Sequence, residues 1–313
     1  MLAIHITHNS IKYAQLVNFK GTPFIESLGK VGIKEGLLMP DMSNGEVMVS
    51  LASQIAKIRN SAEFPDNSTH IVIDSDWFPL GIHQVDATLS GSDLNKFLKW
   101  RMDEMLESAA SQFSLVHQEL SRSSEKGVDY ITIGIPITFD AWLQKIFASS
   151  ELEIKKVITE IQALGDILAA SGLLDTEGGI QVVMDNRENC ISCHLYQKGD
   201  FIALFQASLN WDYKITIDHS RGDYELITQV KESIEKAIKG KRDPQNVITN
   251  LFYFTSAGDD TVLNNLKQYP DSCKILNLVQ HFNFRDPEYQ NIDEYAVVLG
   301  ALSMEIQERF HED

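Results

Sequence analysis

Residues 5–12 read HITHNSIK, inside the opening run MLAIHITHNSIKYAQL (1–16). An alternating apolar stretch enters a polar turn at His8–Ser10 and alternation resumes from Ile11, the pattern of a hairpin. A further alternating stretch follows the turn Lys20–Pro23. The chain therefore opens with three predicted strands over 2–8, 11–18 and 23–29. The same layout returns far downstream. IQVVMD (180–185) leads through NREN into CISCHLYQ, and a turn at Lys198-Gly199-Asp200 precedes FIALFQASL.

Each meander is followed by alternating helices and strands. In the first half, Ser43-Asn44-Gly45-Glu46 has capping-box spacing, and Val47, Leu51, Ile55 and Ile58 share one face of a helix that runs to about Asn60. Strands are expected at HIVIDSD (70–76) and LGIHQVDA. A helix from Ser90 or Ser92 carries Leu94, Phe97, Leu98, Met102 and Met105, and strands at about 112–120 and 128–137 follow it. TFDAWLQKIFASS reads as a helix, LEIKKVITE as a strand, and Ile161–Ala170 as a helix stopped by Ser171-Gly172. In the second half come a helix over 224–239, the strand VITNLFYF, a helix near 260–268, the strand KILNLV and a last helix from Asp293 to about Arg309. FNFRDPEYQN (282–291) reads as a connector. Two similar halves of this kind imply an internal repeat and α/β layers. The break falls at Leu174–Gly179.

The bulk composition narrows the function classes. A formal charge of −17 argues against non-specific nucleic-acid binding, which needs a basic footprint. No apolar run approaches the roughly 20 residues of a membrane span, and no secretory signal is read in the first residues. The three cysteines form no disulfide framework. Cys190 and Cys193 have C-x-x-C spacing, but in a strand that spacing puts them on opposite faces, so they read as ordinary thiols.

With these elements in order, nearly the whole chain resembles the actin-like ATPase superfamily, within it the branch of cell-division FtsA and the type IV pilus assembly protein PilM. IHITHNSIKYAQL resembles the family's first phosphate hairpin, an Asp-hydrophobic-Gly-Ser-x-Ser-hydrophobic-Lys run. Ser10 and Lys12 match, whereas His5 replaces the Asp and Thr7 the Gly. VVMDNRENCISCHLYQKG resembles the second phosphate hairpin. There Asp185 and Gly199 match, and Arg187 holds the glycine position. LFYFTSAGDDTVLNNL resembles the adenosine-binding strand-turn-helix, with Gly258 retained in Ser256-Ala257-Gly258. DEYAVVLGALSMEI resembles the start of the family's last helix. LNKFLKWRMDEML and VDYITIGIPITFDAWLQKIF resemble the small relocated subdomain of PilM and FtsA.

The resemblance implies a duplicated, ribonuclease-H-like α/β fold. One lobe is expected from 1–81 with 159–178, the inserted subdomain from 82–158, and the second lobe from 179–313. It implies a nucleotide cleft whose vestigial residues are Ser10, Lys12, Asp185 and Gly258. ATP chemistry there needs a carboxylate near Mg²⁺ and amides close to the phosphates, which a Cβ at a glycine position obstructs. A neutral imidazole at position 5 is a poor ligand for that hard cation. The altered hairpins therefore favour a chain with no cofactor, no resident metal and no catalytic residues. Lys12 and Arg187 could still hold a phosphate without metal.

By resemblance, the expected role is a cytoplasmic adaptor at the inner membrane of a pilus or secretion machine. Its partner would be the short cytoplasmic tail of a PilN-like membrane protein. The alternative is an active ATPase or small-molecule kinase of the same fold. His5 and His8, three apart across a strand and turn, are expected to point apart rather than to share a metal. Trp100, Trp142 and Trp211 read as core or seam residues, with a partner-binding anchor as the alternative.

Overall fold

Both meanders form. A computed structural model of the chain describes residues 1–33, 44–61, 67–74, 77–106, 110–124, 127–186, 190–210, 212–241, 246–255, 261–266, 273–275, 282–286, 289 and 292–310. The first meander is β1 (Leu2–Ile6), β2 (Ser10–Phe19) and β3 (Thr22–Gly32). After α1 (Gly45–Ser61) comes β4 (Ser68–Ile73), which pairs parallel to β1. The cap of α1 is Asn44, one residue beyond the expected Ser43, which lies outside the described residues. Its Oδ1 accepts from the backbone N–H of Glu46 at 3.0 Å.

The segments that follow divide between two compact units: Met1–Phe78 with Pro136–Gly172 and Leu278–Asp313, and Pro79–Ile135 with Leu173–Asn277. The second unit holds β5 (Leu80–Val85), α2 (Gly91–Met105), β6 (Phe113–Ser124) and β7 (Gly127–Pro136), whose strands form a small sheet in the order β5-β7-β6. The first unit resumes with α3 (Phe139–Phe147), β8 (Glu153–Thr159) and α4 (Glu160–Ala170). Its sheet is mixed, in the order β3-β2-β1-β4-β8.

The second unit repeats this plan with β9 (Ile180–Asn186), β10 (Ile191–Gln197), β11 (Asp200–Leu209) and β12 (Ile215–Gly222). After α5 (Tyr224–Ile238) come β13 (Ile248–Thr255), α6 (Thr261–Leu266) and β14 (Cys273–Ile275). The order β12-β11-β10-β9-β13-β14 keeps the antiparallel meander followed by parallel strands, so the hydrophobic repeat in the sequence is a repeat in the fold. β12 is absent from the sequence expectation. Its Ile215 and Ile217 alternate, but the polar run Asp218–Arg221 masks the strand period.

Two segments sit elsewhere than expected. The unit that contains the subdomain ends its first segment at Ile135, and α3 belongs with α1. The reason is aromatic packing: Trp142 lies edge-on to Trp77 at 5.8 Å and Phe139 edge-on to Phe78 at 5.1 Å, all buried. The last helix, α7 (Ala296–Phe310), packs on β1, β4 and α4 of the first unit rather than in the second lobe. The approach is close, because a Cβ on Gly300 would lie 2.1 Å from the Ala163 carbonyl oxygen. His70 on β4 anchors the same contact through Nδ1, 2.9 Å from the Ala301 carbonyl.

The connector 282–291 also does more than connect. The Asn283 carbonyl accepts from Ile25 N–H at 2.7 Å, Arg285 N–H donates to the Ile25 carbonyl at 3.0 Å, and Arg285 pairs with Glu26. The described part of the loop therefore satisfies backbone groups along β3, an edge strand that would otherwise offer them to another chain.

Candidate functional site

The first hairpin turn is closed by its own side chains. The Thr7 hydroxyl accepts from the Ser10 N–H at 3.0 Å and lies 2.9 Å from the Ser10 carbonyl and 3.0 Å from Ser10 Oγ. Thr7 N–H donates to the same carbonyl at 2.9 Å, and Ile33 N–H donates to the Asn9 carbonyl at 2.8 Å. A glycine at position 7 could supply none of the hydroxyl contacts. Here the Ser10 amide and hydroxyl, groups that could face a phosphate, are engaged inside the turn.

Behind the turn, strand register builds a row of nitrogen-bearing side chains. His5 on β1 stands opposite Lys12 on β2, and Lys12 opposite Lys30 on β3, so the three share one face of the sheet. His5 is buried, whereas His8 is exposed in the turn, so the two do not share a ligand position. Lys12 Nζ donates to the Glu294 carbonyl at 3.0 Å and lies 4.0 Å from its carboxylate. Lys30 Nζ meets that carboxylate at 2.5 Å. Glu294 belongs to a 3-10 turn, Ile292–Tyr295, that leads directly into α7. The burial of Tyr295 and the nearby Glu294 charge both raise the pKa of its phenol, burial more than charge.

The second hairpin is described on its strands but not at its turn. Asp185 is buried on β9, opposite Ser192 on β10 and Phe254 on β13. Beside it, Asn186 Nδ2 donates to the Tyr253 hydroxyl at 3.2 Å, and Ser192 Oγ lies 3.2 Å from His194 Nε2, all of them buried. Arg187 and Gly258 lie outside the described residues. Of the expected cleft residues, the structure therefore brings Ser10 and Lys12 together on β2 and carries Asp185 in the other unit. Lys30 and Glu294 are absent from the sequence expectation. Lys12 and Glu294 are 282 residues apart, and no local pattern announces a contact at that separation.

Other candidates fall into place as structure. Cys193 is buried in the apolar core of the second unit, which pushes its thiol pKa well up, and Cys190 is half-buried. Among the described residues, no group of three or more His, Cys, Asp or Glu side chains converges as a metal site. Trp142 is core, and Trp211 lies outside the described residues. Trp100, expected in a core or seam, is 50% exposed. Its position on α2 is turned away from Leu94, Leu98 and Met102, which face the small sheet. It packs instead on Phe97 at 5.6 Å, with the Arg101 guanidinium over its ring at 5.6 Å. A cleft of about 280 Å³ in the second unit is lined by Ile82, Leu120, Asp129, Ile202 and Asp223 among others. Asp223 also caps α5 by accepting from Leu226 N–H at 3.1 Å.

Scanned against protein-family models, the sequence matches none, and no curated protein is similar to it in sequence. Among solved structures the chain is similar to the PilM–PilN type IV pilus biogenesis complex. The TM-score is 0.67 at 13% identity, over 97% of this chain and 98% of that one. Lower scores relate it to the cytoplasmic domain of EpsL, an inner-membrane component of the type II secretion system of Vibrio cholerae (TM-score 0.49, 10% identity, 96% and 94% covered). A Bacteroides thetaiotaomicron protein with an actin-like ATPase fold gives a TM-score of 0.43 at 12% identity, with 95% of each chain covered. The fold is thus the α/β actin-like fold, with two mixed-sheet lobes and a small antiparallel subdomain.

Proposed function

We propose that this chain is a non-catalytic, PilM-like adaptor on the cytoplasmic side of the inner membrane, serving a type IV pilus or a related secretion machine. It binds the cytoplasmic tail of an inner-membrane partner of the PilN kind, by burying an extended peptide rather than by turning over a nucleotide. One observation carries the reading. The likeness to the structure of the PilM–PilN complex runs over nearly the full length of both chains, while the first phosphate-type hairpin is closed on itself through Thr7 and Ser10. Fold alone does not imply function, so the weight rests on that altered site. Among the described residues no helix is long and apolar enough to cross a membrane.

Two measurements test this. Calorimetry with Mg-ATP is expected to show no binding in the low-micromolar range, and such binding would overturn the non-catalytic reading in favour of an active ATPase or kinase. The neighbouring open reading frames are expected to encode a short single-span protein with a cytoplasmic tail. A synthetic peptide of that tail should bind the full chain, and a tail peptide that leaves the chain unbound removes the adaptor reading.

A further inference from the structure

Two ammonium groups set directly opposite each other on neighbouring strands repel and destabilise the pair, and a nearby counter-charge relieves this. Lys12 and Lys30 are such a pair. Their counter-charge comes from neither strand: the Glu294 carboxylate reaches Lys30 at 2.5 Å and Lys12 at 4.0 Å, and the Glu294 carbonyl takes a hydrogen bond from Lys12 at 3.0 Å. The Lys12 and Glu294 side chains are only 14% and 15% exposed, so solvent screens this charge less than it would on an open surface. His5, a further nitrogen-bearing side chain, stands next in the same row. The arrangement has the parts of an anion site, two cations converging beside a turn, with a carboxylate seated in it.

We propose that Lys12 and Lys30, with His5 behind them, form an anion site whose resident ligand is the chain's own Glu294 carboxylate. Glu294 holds the site in place of a phosphate-bearing ligand. The same contact fastens the turn Ile292–Tyr295, and with it the start of α7, to β2 and β3. This occupancy deepens the non-catalytic reading above, on which it rests. It assigns the exclusion of phosphates to one side chain in addition to the closed turn.

The test compares wild type, Glu294→Gln and the double variant Lys12→Met/Glu294→Gln. Each full-length chain is titrated by calorimetry with inorganic pyrophosphate in the absence of metal. Glu294→Gln is expected to bind at least about tenfold more tightly than wild type, and Lys12→Met in that background should abolish the gain. A Glu294→Gln chain with wild-type circular dichroism and no gain overturns the proposal. Should Glu294→Gln not fold, Lys30→Met/Glu294→Gln decides. Removing one of the two like charges is expected to restore the cooperative thermal transition that Glu294→Gln then lacks, and a double variant that also fails to fold overturns the proposal. Tight Mg-ATP binding by wild type would instead sink the non-catalytic reading itself, so the two failures are distinguishable.

Discussion

Thr7 and His83 show how one side chain sets local chemistry. At position 7 a hydroxyl accepts from the Ser10 amide, which a glycine would have left open. His83 lies buried on β5 of the small sheet, and its Nε2 has no hydrogen-bond partner among the described residues. Burial, and secondarily the Arg101 charge, hold its pKa below the ordinary 6.5. The charged group that acts on it is the Arg101 guanidinium on α2. Protonation is thus disfavoured in the folded state, so the contribution of His83 to stability is complete above about pH 6.5 and falls as pH drops below it. His83→Gln, neutral throughout, should lose less stability than wild type between pH 6.5 and 5. Urea denaturation across that range measures the difference in slope, and parallel slopes would contradict the assignment.

At the scale of elements, the contact between α4 and α7 is the place where geometry leaves least room. Gly300 in the segment VVLGAL permits the α7 backbone to approach Ala163 without a side chain between them. Gly300→Ala must displace one helix, because the atom it meets is backbone rather than the far end of a flexible chain. Overpacking of this kind costs about 1–3 kcal/mol, and rigid backbone places this substitution at the upper end. Chemical denaturation of the variant checks it, and a chain as stable as wild type would mean that the helices slide apart freely. The sequence pattern did carry part of this information. The segment was recognisable by its likeness to the family's last helix, but its place against α4 was not, because one helix face does not state which other face will cover it.

At the scale of the whole molecule, the chain leaves its first unit at Pro79, returns at Pro136, leaves again after Gly172 and comes back at Leu278. The first unit is consequently complete only when the last segment is present, with α7 covering His70 and the face of β1 that carries Ala3 and His5. A chain stopped after Asn277 should therefore become protease-sensitive throughout Met1–Phe78 and Pro136–Gly172, while β9–β13 stay protected longer. Limited proteolysis followed by mass spectrometry distinguishes this from uniform resistance.

The duplicated α/β plan was legible in the alternation of residues 2–29 and 180–209, because strand period and turn chemistry are local properties of a few consecutive residues. So were the replacements of expected hairpin residues by His5 and Thr7, which needed no coordinates to notice. What those replacements do emerged only from the folded chain: that Thr7 takes up the Ser10 amide, and that Lys12 is neutralised by a carboxylate near the other end of the sequence. The same holds for Trp100, whose helical spacing from Phe97 looked like core until the small sheet claimed Leu94, Leu98 and Met102 instead. Periodicity says that a face will be buried, but which charges meet and which face wins depend on contacts between distant segments, and those exist only once the sheets have closed.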